Sequence, residues 1–318
     1  MAVHLQDQGQ RAATLRNVRR VVVKVGTRLL TGIDGVSKAN RVASLVAETA
    51  TLREKGLDVL VVTSGAIGAG MTVLGTPKRP QGLPQLQAHA AVGQSRLMYL
   101  YEKACVDRGF HCAQILLTAA DVQDLERHLN VRYCLDALLA LGVLPVINEN
   151  DSVSVEEIRF GDNDMLAGLV ATLSRADLTI LLTNVDGMRE HVNGNLGRRY
   201  SVVSMLDQNT RDMARGTADL QFSTGGMITK LHAAETVTKA GESLWIADGT
   251  DFGILRRIMA GEDVGTLFTP RKTTRMRGRK RYLAFFSEPR GEIHVDEGAA
   301  RALCHHGRSL LPSGIVDA

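Results

Sequence analysis

Val21-Val22-Val23-Lys24-Val25-Gly26-Thr27 is a β-branched run that ends in a lysine and then a glycine. Such residues favour a pleated, buried surface, so the run reads as a core strand that delivers one cation to its carboxyl end. In open α/β sheets ligands bind beyond the carboxyl ends of the strands. The natural partner of Lys24 there is an anion, phosphate above all. The stretch is neither a dinucleotide fingerprint, which opens on spaced glycines, nor a P-loop, whose lysine follows a glycine-rich loop. Taken alone it is equally compatible with a lysine snorkelling from an edge strand, and the flanking chain must decide.

Outward from this strand, apolar runs alternate with helical patterns. Val21–Val25, Val59–Thr63, His111–Leu117, Val143–Ile147, Leu178–Thr183 and Ser243–Ile246 read as strands. Lys38–Lys55, Gln85–Asp107, Leu125–Leu141, Met165–Leu173 and Met227–Ala240 read as helices. This alternation predicts an α/β fold with a mainly parallel sheet covered by helices on both faces.

The 318 residues, 44% hydrophobic and 23% charged, suit one large α/β domain with a small appendage. No apolar run has the 18 or so residues that a membrane span needs. The cysteines at 105, 112, 134 and 304 have no Cys-x-x-Cys spacing, so neither a zinc site nor a disulfide framework is expected, and reduced thiols in the cytoplasm are. Residues 1–17 lack the apolar region of a secretory signal. Their arginines and few acids resemble a transit peptide, but Arg19 and Arg20 abut the strand, and a disordered extension is the expectation. The net charge of +4 has a local source: seven cations fall within positions 271–281. This basic block reads as a solvated linker or an anionic subunit contact, with nucleic-acid binding the less favoured alternative.

Five further motifs carry chemistry. Val61-Val62-Thr63-Ser64-Gly65-Ala66 ends a strand in small residues, and a helix start there offers backbone N–H groups to an anion. Asn148-Glu149-Asn150-Asp151 follows a buried strand directly, and its amides and carboxylates suit the ammonium and carboxylate of an amino acid. Gly161-Asp162-Asn163-Asp164 heads a helix. One cap explains one of these residues, whereas paired aspartates can also orient lysines or hold Mg²⁺ through water. Leu181-Leu182-Thr183-Asn184 runs a strand into a polar turn. Ser223-Thr224-Gly225-Gly226-Met227-Ile228-Thr229-Lys230 opens a helix with a glycine pair, an anion cradle within reach of Lys230. Each motif alone has a bland reading as a turn or a cap; their order along one chain does not.

That order, Val-Lys-Val-Gly-Thr, Val-Thr-Ser-Gly-Ala-Ile, Ile-Asn-Glu-Asn-Asp, Gly-Asp-Asn-Asp and Thr-Gly-Gly-Met-x-Thr-Lys, resembles the amino acid kinase family. Ala91-Val92-Gly93-Gln94-Ser95-Arg96-Leu97 and Gly265-Thr266-Leu267-Phe268 narrow the likeness to members that phosphorylate free glutamate in the first step of proline synthesis. The likeness spans residues 18–270. It implies a three-layer αβα sandwich with L-glutamate on the N-terminal half and ATP, accompanied by Mg²⁺, on the C-terminal half. By the same resemblance Lys24 and Lys230 bind phosphate, and Asp164, with Asp162 in the same cluster, holds the lysines as part of the catalytic set. Ser64 with Gly65, Asn148, Asp151 and Asn163 contact glutamate. Gly26, Thr27, Thr183, Asn184 and the segment Thr224, Gly225, Gly226, Met227, Ile228, Thr229 and Lys230 contact the nucleotide, and no side chain is assigned as a direct metal ligand.

Two features depart from the family pattern. Asn184 stands where these kinases commonly carry Asp, and residues 271–318 comprise the basic linker and a segment, Gly291–Ile315, similar to the first half of a PUA domain. The resemblance further implies a dimer or tetramer and feedback inhibition by proline, with Thr118–Phe160 the segment to examine. The rival readings are a sibling kinase for acetylglutamate, aspartate, carbamate or UMP, and a non-catalytic RNA-binding or regulatory relative.

Overall fold

The computed structural model describes residues 2–30, 37–154, 163–192, 195–204, 226–270, 275–276, 278–287 and 291–317. Asp162, Thr224 and Gly225 lie outside these residues.

Eight strands form one sheet: β1 (Arg20–Val25), β2 (Asp58–Val62), β3 (Cys112–Leu117), β4 (Leu144–Glu149), β5 (Leu178–Thr183), β8 (Val202–Val203), β9 (Ser243–Asp248) and β10 (Thr266–Phe268), in the order β3-β4-β2-β1-β5-β9-β10-β8. The strands from β3 through β9 in that order pair in parallel, and β10 runs antiparallel to β9. β6 (Arg189–Val192) and β7 (Asn195–Arg199) form a separate hairpin that the sequence pattern did not announce.

Strand alternation sorts the core into two layers. Val21, Val23 and Val25 face a cluster with α3 (Lys38–Glu54), α5 (Leu83–Val106) and α10 (Ile254–Met259). Val22 faces the opposite cluster, with α7 (Leu125–Ala140), α8 (Asn163–Ser174) and α9 (Met227–Lys239). The expected three-layer αβα sandwich is therefore present. Lys24 shares the face of Val22, so the same alternation turns it toward α8 and α9. The core helices and strands begin and end within a few residues of the positions read from the sequence.

Two shorter helices complete the site's surroundings, α2 (Thr27–Leu30) and α4 (Ala66–Leu74). α4 crosses α5 where neither helix has a side chain. A Cβ at Gly93 would meet the Ala66 carbonyl oxygen at 1.8 Å, and one at Gly70 would meet the His89 carbonyl oxygen at 1.9 Å. Only glycine permits that approach.

The extension expected to be disordered is instead helical: α1 spans Ala2–Arg16. Arg11 is the reason. It is buried, donates to Ser201 Oγ and the Gly261 carbonyl, and pairs with Asp263 at 3.3 Å. Asp263 also accepts from Ser201 Oγ at 2.7 Å and from Arg199 at 2.9 Å. A sequence reading had no means of seeing a partner 252 positions away.

The basic block is likewise not wholly a solvated linker. Helix α6 (Ala119–Gln123) lies before α7, and α11 (Gly278–Phe285) docks on them and on α8. Arg281 is buried, donates to the Thr172 carbonyl at 2.9 Å and forms an ion pair with Glu242, while Arg275 pairs with Asp177. Tyr282 donates to the Gln123 carbonyl, and His128 meets the Tyr282 and Phe286 rings edge-on. Beyond it, β11 (His294–Val295) and β12 (Ile315–Asp317) pair antiparallel around α12 (Glu297–His306). Among the described residues no helix is long and apolar enough to cross a membrane.

Candidate active site

Because β1, β2, β4, β5 and β9 are parallel, their carboxyl ends open on one edge of the sheet. Lys24, Ser64, Asn148, Thr183 and Asp248 mark that edge in turn. α8 links β4 to β5 across the sheet, so its first residues, Asn163 and Asp164, arrive between the two halves.

Asp164 is the hub. It is fully buried, and its carboxylate bridges two buried lysines: Lys24 Nζ lies 2.6 Å from Oδ1, and Lys230 Nζ lies 2.9 Å from Oδ2. Thr229 Oγ1 donates to Oδ2 at 3.3 Å. Burial by itself would raise the Asp164 carboxyl, but the charges of Lys24 and Lys230 and their hydrogen bonds overcome that, and its pKa is held below the ordinary value. Two cations on one carboxylate leave the trio with a net positive charge in a nearly dry setting.

Asn163, beside the hub, organises the other half. Its Nδ2 donates to the Thr63 carbonyl at 2.5 Å, to Ser64 Oγ at 2.7 Å and to Asn148 Oδ1 at 3.0 Å. These bonds tie the ends of β2 and β4 to the start of α8. Asn148 Nδ2 in turn donates to Gln94 Oε1 at 3.0 Å. Gly65 takes φ +89° between Ser64 and α4, a conformation glycine alone adopts readily. Asp151 lies in the turn after β4 and is half-buried. Gln87 of α5 donates to the Ser154 carbonyl at 3.3 Å and holds that turn.

On the other side, Gly26 N donates to the Leu182 carbonyl at 3.1 Å, which closes the β1 end against β5, and Thr27 opens α2. Thr183 Oγ1 donates to Asn184 Oδ1 at 3.4 Å, and Asn184 is exposed. Gly226 is the N-cap of α9 and, as a glycine, offers no side-chain cap to its first N–H groups. Met227, Ile228 and Thr229 form the first turn, which delivers Lys230 to the hub. The structure therefore gathers Lys24, Lys230, Asp164, Asn163, Ser64 and Asn148 into one hydrogen-bonded cluster, with Gly26 and Gly65 shaping its loops. Thr183 and Asn184 lie at the neighbouring β5 end, where Thr183 Oγ1 bonds to Asn184.

Gln94 is the residue that sequence reasoning left out of the site. It lies within Ala91-Val92-Gly93-Gln94-Ser95-Arg96-Leu97. Its signal is a glutamine next to Gly93 on the largely apolar buried face of α5.

Comparison with known proteins shows the family. The model of the amino acid kinase family matches residues 19–248. A glutamate 5-kinase from Caldanaerobacter subterraneus subsp. tengcongensis is 46% identical over 299 residues, 93% of this chain and 80% of that protein. One from Moorella thermoacetica is 46% identical over 304 residues, 95% of this chain and 80% of the relative. One from Geobacter metallireducens is 45% identical over 308 residues, 96% and 82% respectively. Among solved structures, a carbamate kinase from Giardia superposes with a TM-score of 0.56 at 15% identity, covering 80% of this chain and 99% of that one. At that identity the likeness concerns the fold alone. With the lysine–aspartate hub, the amide cluster and these relatives taken together, the chain belongs to the amino acid kinase family, within its glutamate 5-kinases.

Proposed function

We propose that the cluster transfers the γ-phosphoryl group of ATP to the side-chain carboxylate of L-glutamate, giving L-glutamyl 5-phosphate and ADP, the first step of proline synthesis. The observation that carries this reading is the pair of buried ammonium groups on the two oxygens of Asp164, directly beside the amide of Asn163. One half of the cluster suits phosphate and the other an amino acid.

The nucleophile needs no general base, because a free glutamate side chain, with a pKa near ~4.3, is already ionised at neutral pH. A carboxylate oxygen forms the new bond to phosphorus as the bond to the β–γ bridging oxygen breaks and its electron pair leaves with ADP. Positioning and charge neutralisation then account for catalysis. Lys24 stabilises the phosphoryl group in flight, Lys230 takes the charge that grows on the leaving oxygen, and Asp164 keeps the two ammonium groups on station. The N–H groups at the start of α9 receive phosphate oxygens. Ser64, Asn148, Asp151 and Asn163 hold glutamate. Among the described residues no three His, Cys, Asp or Glu side chains converge as a metal cage. Mg²⁺, which supplies charge neutralisation when bound with ATP, suits a mode in which phosphates and water provide its ligands.

A hydroxamate trap for acyl phosphate tests the reading, run with MgATP and glutamate, acetylglutamate, aspartate and carbamate. Product with glutamate alone is expected. Product with a sibling acid and none with glutamate overturns the assignment.

The proline response, a dimer or tetramer, and a cytoplasmic setting belong to the same proposal and are supported by family membership. Size-exclusion chromatography with light scattering tests the assembly, and titration with proline in the hydroxamate assay tests the inhibition.

A further inference from the structure

The amides of the glutamate half-site form a directed chain. Asn163 Nδ2 donates to Asn148 Oδ1, and Asn148 Nδ2 donates to Gln94 Oε1. The chain then stops. Gln94 is 8% exposed, and its Nε2 has no hydrogen-bond partner among the described residues. A buried amide donor without an acceptor is unfavourable and rare in native proteins. Its place at the end of a polar chain, beside the site, signals an acceptor supplied by a ligand.

The position is built rather than incidental. Gly93, the preceding residue, lets α5 approach α4 so closely that any side chain would strike the Ala66 carbonyl at 1.8 Å. That approach brings Gln94 against Asn148 on β4. The chain also has a direction relative to the chemistry. Asn163 adjoins Asp164 and its two lysines, where the phosphoryl group is transferred, and Gln94 lies at the opposite end. A substrate that presents its side-chain carboxylate to the lysines extends its other carboxylate the other way.

We propose that the side-chain amide of Gln94 donates its free N–H to the α-carboxylate of glutamate, and so selects acids that carry a second carboxylate at that distance. This rests on the assignment of glutamate as the acceptor.

Two variants test it, Gln94→Met and Gln94→Glu. The second keeps an oxygen facing Asn148 but sets a carboxyl group where the amide donor stood. Both are expected to raise KM for glutamate at least tenfold, with KM for ATP within twofold of wild type. Both should also abolish the rise in melting temperature that glutamate alone gives the wild-type protein. The penalty of Gln94→Met should shrink when L-isoglutamine, whose α-carboxylate is replaced by an amide, is the acceptor. Wild-type KM for glutamate in both variants overturns the proposal. So does a loss confined to Gln94→Met, which would mean that Gln94 acts only by holding Asn148. An equal penalty with isoglutamine overturns the α-carboxylate assignment. If the wild-type protein binds glutamate without forming hydroxamate, the functional reading fails while the thermal shift still decides the role of Gln94.

Discussion

Replacing Asp164 by Asn tests the centre of the argument. The substitution keeps the side chain's size and removes the one carboxylate that Lys24 and Lys230 share at 2.6 and 2.9 Å. All three groups are buried, Asp164 completely and the lysines to 5% and 7% exposure. Deleting one partner of a buried ion pair costs about 3–5 kcal/mol because it strands an uncompensated charge. Here the deleted carboxylate serves two lysines, so the upper end of that range applies. For a chain of this size the melting temperature should fall on the order of 10 °C. The lysines would also lose their common anchor, and kcat should fall on the order of 10²–10³-fold, as when a charge-stabilising donor is removed. A further consequence separates this from ordinary destabilisation: ATP brings the missing negative charge. Saturating ATP should therefore raise the melting temperature of Asp164→Asn by more than it raises that of the wild type. Differential scanning calorimetry with and without ATP, alongside the hydroxamate assay, measures both effects. A variant within 1 kcal/mol of wild type, with turnover reduced less than about threefold and an equal ATP response, would refute the idea that Asp164 organises the lysines.

Lys24→Met and Lys230→Ala should each lower kcat on the order of 10²–10³-fold and leave the glutamate-induced thermal shift in place; near-normal turnover in either removes that lysine from the mechanism. Gly93→Ala should destabilise the fold by about 1–3 kcal/mol and raise KM for glutamate, since its Cβ would meet backbone at 1.8 Å; unchanged stability in urea unfolding would contradict the α4–α5 contact. Burial lifts the Glu242 carboxyl to about 7 against the opposing pull of Arg281. A raised carboxyl pKa contributes stability below the ordinary value that is lost as pH rises through the folded one, here from about 4.5 to about 7. Glu242→Gln should therefore flatten the stability profile across that window, by up to about 3 kcal/mol in urea unfolding between its ends; an unchanged slope would mean that Glu242 titrates normally.

The main architecture was legible because it rests on local periodicities. Val21 to Val25 alternate between two core layers, and the helices Lys38–Glu54 and Leu125–Ala140 start within a residue of where their patterns start, each behind a side-chain cap, Ser37 and Asp124. The same periodicity put Lys24 on the face of α8 and α9. The features that escaped the reading share a different character. Residues 2–16 carry no decisive pattern and take a docked helical place through Arg11 and its bonds to Ser201 and Asp263. Within the basic block Arg281 looks like its neighbours, yet among the block's described residues it is the cation that enters the core, where it meets Glu242. Gln94 reads as one polar residue on a helix, and its meaning depends on a bond to a strand 54 positions away.

Local sequence thus determined the strands, the helices, the family and the residue types at the carboxyl edge of the sheet, because strand and helix periods act over a few residues at a time. The resemblance implied that Asp164 holds Lys24 and Lys230, and tertiary structure supplied the contacts at 2.6 and 2.9 Å; it alone decided that Asn163 gathers Thr63, Ser64 and Asn148, and that the amide chain ends on an open donor at Gln94. Those facts depend on distances of about 3 Å between groups far apart along the chain, which packing of the whole sandwich establishes and no local pattern encodes.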